Sequence, residues 1–249
     1  RCSAARTRRR HPSRGAEPLR AELGRLAGFA RALMLAGVMA LLAQAAGARL
    51  QIAPDEDPDL AAGWAAYQGG QHEAARQRYR QAAERGLRVA QFNLAVMLML
   101  GEGGPPDVAG AVAWLTRSAE AGFAQAQFGL ALLHERGEGV PRSMATANHW
   151  FARAAEQGYG PAQLTLATQY FLGRGVPRDM AQAAHWYERA AQQDEDGAAY
   201  ILASLYERGD GVPQDTAKAW AWYLRAAALG DPVARLKAAE MSARLRARP

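Results

Sequence analysis

Small and apolar residues recur along this chain with a period of 36 residues between Leu87 and Gly230. When the chain is aligned with itself at this offset, no gap is needed and several positions keep one residue type in every copy. The clearest set consists of leucines, each followed by alanine, at Leu94, Leu130, Leu166 and Leu202. Alanines form a second set, at Ala90, Ala126, Ala162, Ala198 and Ala234. Repeats of about this length are typical of stacked helix–turn–helix units.

Each copy contains two helical patterns separated by a turn. In the second copy, small and apolar residues occur at helical spacing over residues 126–133 and again over residues 144–155. Two glycines and a proline lie between the patterns, where they favour a helix end. A residue that can cap the second helix precedes it in each copy, namely Asp107, Ser143, Asp179 and Asp215. The pattern therefore predicts four helix pairs, whose alanines allow the helix axes to approach closely.

Two positions depart from the repeating pattern. The second helix of a copy is followed by Gly122, Gly158 or Gly230, but the third copy has Asp194 there. We therefore expect the third helix pair to end differently. In the turn of the first copy, Gly104 replaces the valine found at 140, 176 and 212, and we expect this loop to be looser.

These residues together resemble the Sel1-like repeat family, which is related to the tetratricopeptide repeat. The motif is A-x-x-x-L-A, then G-x-G-V-P-x-D, then A-x-x-W-[YF]-x-[RK]-A-A-x-x-G, with tryptophan at 114, 150, 186 and 222 and arginine three residues later. The resemblance implies an all-α fold, a right-handed α-solenoid of stacked helix–turn–helix repeats at 87–122, 123–158, 159–194 and 195–230. It also implies a non-enzymatic role as a scaffold or adaptor that binds other proteins.

Shorter segments flank the four repeats. Residues 59–86 are predicted to form a tetratricopeptide-like capping helix pair, with Gly69 and Gly70 in its turn. Residues 231–249 are predicted to form a C-terminal capping helix, with Asp231 as its N-cap and Pro232 at its first position. Residues 49–58 are acidic and contain proline, which indicates a linker.

Residues 1–48 have the order of a secretory signal peptide. An arginine-rich segment is followed by an apolar run at 32–43 and then by small residues up to Ala48. The alternative is an uncleaved anchor that uses the wider stretch from Leu26, although Arg31 interrupts it. We therefore expect a periplasmic or secreted protein, with attachment to the inner membrane by the N-terminal segment as the alternative.

Charge and cysteine content narrow the partner classes. The net charge is +6, but residues 1–48 contribute +7 and the remainder carries −1. The basic character thus belongs to the predicted leader, and we expect no nucleic-acid partner. Cys2 is the only cysteine and precedes the apolar run, so the exported part would contain no thiol.

The search for chemistry gives no catalytic cluster, metal site or cofactor site. His149 and His185 occupy equivalent positions of neighbouring repeats, about 8–10 Å apart, which is too far for a shared metal. The tryptophan set is compatible with a core role or with an aromatic ladder, and the arginine set with a solvated stripe or with an acidic partner. A glycan-binding or cell-wall-binding protein is the alternative function, and a hydrolase is a further one.

By analogy with tetratricopeptide repeats, the first helix of each pair is expected to line the concave face of the solenoid. Twelve residues are predicted to face the partner there, and we call them the first-helix row: Phe92, Val96, Met99, Phe128, Leu132, Glu135, Leu164, Thr168, Phe171, Tyr200, Ser204 and Glu207. This row would suit a partner helix or an extended peptide bound by a monomer. Alanine at Phe128 or Phe171 is expected to weaken partner capture without unfolding the protein.

Overall fold

The computed structural model describes residues 57–195 and 197–246, and this part of the chain contains eleven α-helices and no strand. The helices are α1 (Pro58–Gln68), α2 (His72–Glu84), α3 (Arg88–Leu100), α4 (Val108–Glu120), α5 (Ala124–Arg136), α6 (Met144–Glu156), α7 (Gly160–Leu172), α8 (Met180–Gln192), α9 (Ala198–Arg208), α10 (Thr216–Ala228) and α11 (Pro232–Arg246). The predicted leader and the linker up to residue 56 lie outside the described residues. The prediction of an all-α fold is confirmed.

The main contacts join helices that follow one another in the chain. The four repeats supply the first helices α3, α5, α7 and α9 and the second helices α4, α6, α8 and α10. The pair α1–α2 packs before them, and α11 packs against α10. Each unit therefore depends on its neighbours for burial, as in other solenoids. The architecture is the right-handed α-solenoid that the repeats predict.

The second helices begin at side-chain caps. A carboxylate oxygen of Asp179 accepts hydrogen bonds from the backbone N–H groups of Ala181 and Gln182, at 2.9 and 3.0 Å. Equivalent caps are made by Asp107, Ser143 and Asp215. Each cap satisfies backbone donors that the helix itself leaves free, which stabilises the helix by about 1 kcal/mol. The four predicted N-caps are confirmed.

A buried glutamine near the start of a first helix bonds to the helix pair before it. The side-chain amide of Gln163 donates to the backbone carbonyl of Ala155 at 3.1 Å, and Gln193 donates to the side-chain oxygen of Gln163 at 2.7 Å. The same bonds recur one repeat earlier, from Gln127 to Ala119 and from Gln157 to Gln127, and Gln91 bonds to Ala83. The three buried bonds to backbone carbonyls connect successive helix pairs, whereas the two bonds between glutamine side chains lie within one repeat. None of these bonds was identified from the sequence.

The second glycine of each turn packs against the helix pair before it. Gly211 has a φ of 73°, and a Cβ atom there would overlap the carbonyl of Met180 at the start of α8. A Cβ atom on Gly103 would likewise overlap the carbonyl oxygen of His72 at the start of α2. Only glycine combines a left-handed backbone with such a close approach. This glycine is therefore a stacking residue as well as a turn residue.

The expectation that the third helix pair ends differently is wrong for the helix itself. Asp194 has a φ of 58°, so it adopts the left-handed conformation of Gly122 and Gly158 at the equivalent positions. Aspartate tolerates this region better than most residues with a side chain. The difference falls on the next helix, since α9 begins at Ala198, two residues later than the 36-residue period predicts.

We expect Gly211→Ala to destabilise the protein more than Gly158→Ala. Both glycines have positive φ, but a Cβ atom on Gly158 would meet nothing within 4 Å. Gly158→Ala should therefore cost only the left-handed strain of about 1–2 kcal/mol. Gly211→Ala should add about 1–3 kcal/mol, because Met180 has to move. Urea denaturation followed by circular dichroism measures both, and equal losses would contradict the stacking role.

Candidate functional site

The first-helix row lies on the four first helices, with three residues on each helix. Helix α3 carries Phe92, Val96 and Met99, α5 carries Phe128, Leu132 and Glu135, α7 carries Leu164, Thr168 and Phe171, and α9 carries Tyr200, Ser204 and Glu207. Residues of one helix are three or four positions apart, so they share one helix face. The use of this face for binding stays a prediction.

Burial divides the row into two groups. Phe92, Met99, Phe128 and Leu132 are only 3–6% exposed. The other eight residues are half-buried. Side chains of the first group offer little surface to a partner, whereas those of the second group combine packing with access to solvent. The accessible part of the row therefore lies mainly at Val96, Glu135 and the third and fourth repeats.

The buried aromatic residues of the row join successive helix pairs. The ring of Phe92 lies 5.4 Å from that of Phe123, the residue that precedes α5. Phe128 lies 5.5 Å from Phe151 and 5.3 Å from Tyr159, the residue that precedes α7. Burial raises the pKa of Tyr159 to about 12. Edge-to-face pairs of this kind stabilise packing beyond the area they bury, so Phe92 and Phe128 act between repeats.

The polar residues of the row bond within the solenoid. Glu135 accepts from the side-chain amide of Gln169 at 3.1 Å, and the Thr168 hydroxyl lies 3.1 Å from that of Tyr187. Burial raises the pKa of the Tyr187 phenol. These bonds hold the side chains of Glu135 and Thr168 in place, so both present a defined polar surface even when no partner is bound.

Glu207 connects the last repeat to α11. It accepts from the Tyr223 hydroxyl at 2.8 Å, and the Lys237 ammonium lies 3.4 Å away. Burial raises the pKa of Tyr223, and the hydrogen bond and charge of Glu207 raise it further. The Glu207 carboxylate is thus already engaged by a hydrogen bond and an ion pair, so it is not free to bind a ligand.

Two exposed leucines at the ends of first helices were not identified from the sequence. Leu100 follows Met99 and is 39% exposed, and Leu172 follows Phe171 and is 47% exposed. Large apolar side chains with this exposure are candidates for contact with another molecule. The sequence signal that could have identified these two leucines is their position directly after a residue of the first-helix row and directly before the first glycine of a turn.

The second helices carry a repeated pairing of arginine with tryptophan, which we call the arginine–tryptophan stripe. The guanidinium carbons lie 4.6, 5.2, 5.4 and 5.8 Å from the ring centroids in the pairs Arg117–Trp114, Arg153–Trp150, Arg189–Trp186 and Arg225–Trp222. Such cation–π contacts contribute about 0.5–1 kcal/mol each at exposed sites. Trp186 is buried in the core, whereas the other three tryptophans are half-buried. An arginine covers part of each ring, so the set is not an open aromatic ladder.

Metal and membrane signals are absent from the part of the chain that the structure describes. No group of three or more histidine, cysteine, aspartate or glutamate residues there could hold a metal ion. None of the described helices has the length and apolar character that crossing a bilayer requires.

We expect Phe128→Ala to destabilise the protein by about 3–5 kcal/mol, because it leaves a cavity between two helix pairs. Phe171→Ala should cost less, about 1–2 kcal/mol, since Phe171 is half-buried. Chemical denaturation of the two variants measures the difference. The expectation that either alanine leaves the protein folded is consistent with the half-burial of Phe171 but not with the burial of Phe128. Equally small losses in the free energy of unfolding for the two variants would support that expectation for both.

The Sel1 repeat model matches residues 88–123, 124–159, 160–195 and 197–231, which together make up more than half of the chain. Each match contains one first and one second helix. The start of the fourth match at residue 197 agrees with the late start of α9.

Solved structures similar to this chain include those of two bacterial proteins. A protective antigen present in uropathogenic Escherichia coli strains, which displays an SLR fold, is 30% identical over 76% of this chain with a TM-score of 0.69, and 41% of its own length is covered. A Sel1 repeat protein from Oxalobacter formigenes is 29% identical over 73% of this chain and 74% of its own, with a TM-score of 0.68. The search of curated proteins found no match. The chain belongs to the Sel1 repeat family, whose members generally act as non-catalytic scaffolds for protein–protein interaction.

Proposed function

We propose that this protein is an exported, non-enzymatic adaptor that assembles a partner protein or peptide into an envelope complex. The partner binds on the face of the solenoid that carries the first-helix row, which we call the first-helix surface. The supporting observation is the accessible part of the first-helix row, together with Leu100 and Leu172, in a protein of the Sel1 repeat family. A partner would bury these apolar side chains, which favours association.

The shape of this surface favours an extended or helical ligand. The half-buried apolar residues Leu164 and Phe171 lie on α7, and Tyr200 lies on α9, the first helix of the next repeat. A ligand that follows the array therefore meets both helices in turn. Thr168 on α7 and Ser204 on α9 supply hydroxyl groups. An amphipathic helix or an extended peptide presents apolar residues at regular intervals and fits such a surface.

The fourth repeat is the more polar end of this surface. Glu207 is bonded to Tyr223 and Lys237, and Ser204 replaces the apolar Val96 and Leu132 of the first two repeats. We therefore assign the apolar anchors of the partner to the third repeat, where Leu164 and Phe171 are half-buried, and its polar groups to the fourth.

We expect Leu172→Lys to reduce partner capture at least about tenfold, since a buried apolar contact would be replaced by a charge. The matched control is Leu224→Lys, because Leu224 is 44% exposed and lies on the second helix α10. The experiment cross-links each tagged variant in cells and quantifies the proteins recovered by affinity capture.

A partner that is lost with Leu172→Lys and retained with Leu224→Lys supports the first-helix surface. Loss of the partner with Leu224→Lys but not with Leu172→Lys would indicate that the interface lies on the second helices. Recovery of purified wall material instead of protein would favour the glycan-binding alternative, and hydrolysis of that material would favour the hydrolase.

Residues 1–48 support export, because they have the order of a cleavable signal peptide. We expect the tagged full chain to be recovered from the periplasm or the medium with about 48 N-terminal residues removed. Intact mass measurement of each cell fraction tests this. A full-length form in the inner membrane would establish the anchor alternative, and a full-length form in the cytoplasm would overturn export.

A further inference from the structure

A cavity of about 260 Å³ lies between α2 and the turn of the first repeat, outside the first-helix row. We call it the α2 pocket. Its lining consists of Glu73, Arg76, Gln77 and Arg80 from α2 and Gly103, Gly104 and Pro105 from the turn. The cavity is open to solvent on one side, so a ligand can enter without any movement of the helices.

The α2 pocket lies at the position where the turn of the first repeat departs from the common pattern. The other three turns carry a half-buried valine where this turn has Gly104. Gly104 has a φ of 152°, and a Cβ atom there would lie 2.5 Å from a guanidinium nitrogen of Arg76. The glycine therefore admits the Arg76 side chain and leaves the space that a valine would fill.

Two guanidinium groups of the pocket have no carboxylate partner among the described residues. Arg76 and Arg80 are four positions apart, so they lie on one face of α2. The hydrogen bond that Arg76 makes is a long one of 3.5 Å, to the carbonyl oxygen of Pro105. In contrast, Arg78 and Arg85 of the same segment are paired with Asp59, at 3.0 and 2.8 Å.

The charge of the lining favours an anion. Glu73 is the one carboxylate among the seven lining residues, and it forms no ion pair within the described chain, so the lining carries a net positive charge. Each guanidinium presents several N–H donors in a planar fork, which matches the oxygens of a carboxylate or a phosphate. Gly103 and Gly104 of the turn also line the pocket.

We propose that the α2 pocket binds an oxyanion, a carboxylate or a phosphate group, through Arg76 and Arg80. The ligand is a free anion of this class or an acidic side chain of a bound polypeptide, and the recognising chemistry is the same. This site is separate from the first-helix surface, so it does not depend on the proposed adaptor role.

The test is an NMR titration of the ¹⁵N-labelled protein that follows the Nε–H signals of Arg76 and Arg80 and the amide signals of Gly103 and Gly104. The probes are inorganic phosphate, the blocked dipeptide acetyl-Glu-Glu-amide and its uncharged analogue acetyl-Gln-Gln-amide. We expect saturable shifts confined to the pocket with phosphate or with the Glu dipeptide, and none with the Gln analogue. Binding of the Glu dipeptide alone would identify an acidic polypeptide as the source.

The matched control removes the same charge from the same helix. Arg80→Gln should weaken binding about tenfold or more, since a charge-assisted bond is lost, and Arg76→Gln should do the same. Arg78→Gln should change affinity less than about twofold, because Arg78 is paired with Asp59 and does not line the pocket. Equal weakening by Arg78→Gln, equal binding of the Gln analogue, or shifts spread over all exposed arginines would overturn the proposal.

Discussion

The close packing of each helix pair against the pair before it is the constraint on which this structure depends. A single pair cannot cover its own apolar face, so every repeat requires a neighbour within a short interaxial distance. The alanines at 90, 126, 162, 198 and 234 are all fully buried. The glycine at 211 contacts backbone directly, and Gln163 bonds across the interface. Small side chains and buried amide bonds thus set the spacing of the array.

This constraint limits where a binding surface can form. Phe128 lies on the predicted binding face, but its ring packs between two repeats and is 5% exposed. The position seven residues later in each first helix varies in residue type, since it holds Met99, Glu135, Phe171 or Glu207. Stacking therefore does not require one residue type at this position.

Cavities form where the repeating pattern stops. Gly104 replaces a valine in the first repeat and leaves the α2 pocket. Ala199 and Leu229 replace the bonded glutamine pair in the fourth repeat, and a second cavity of about 260 Å³ is lined by these two residues, Tyr200 and Asp231. Both cavities lie where side chains that recur in other repeats are replaced.

The sequence by itself determined the helix pairs and their caps, because these features depend on local spacing. A 36-residue period, a capping aspartate such as Asp107 and a glycine before a proline act within a few residues of the chain. The pairing of Arg117 with Trp114 is also local, and could have been inferred from their spacing of three residues on a helix.

Only the tertiary structure decided which residues of the first-helix row are accessible. Helical spacing places Phe128 and Phe171 on similar faces, but their burial differs because it depends on side chains from other helices, here Phe151 of the same repeat and Tyr159 of the next repeat. The α2 pocket likewise depends on Arg76 and Gly104, which are 28 residues apart and meet only when the first repeat packs on α2. Contacts between repeats join distant parts of the chain, and a pattern read along one repeat does not specify them.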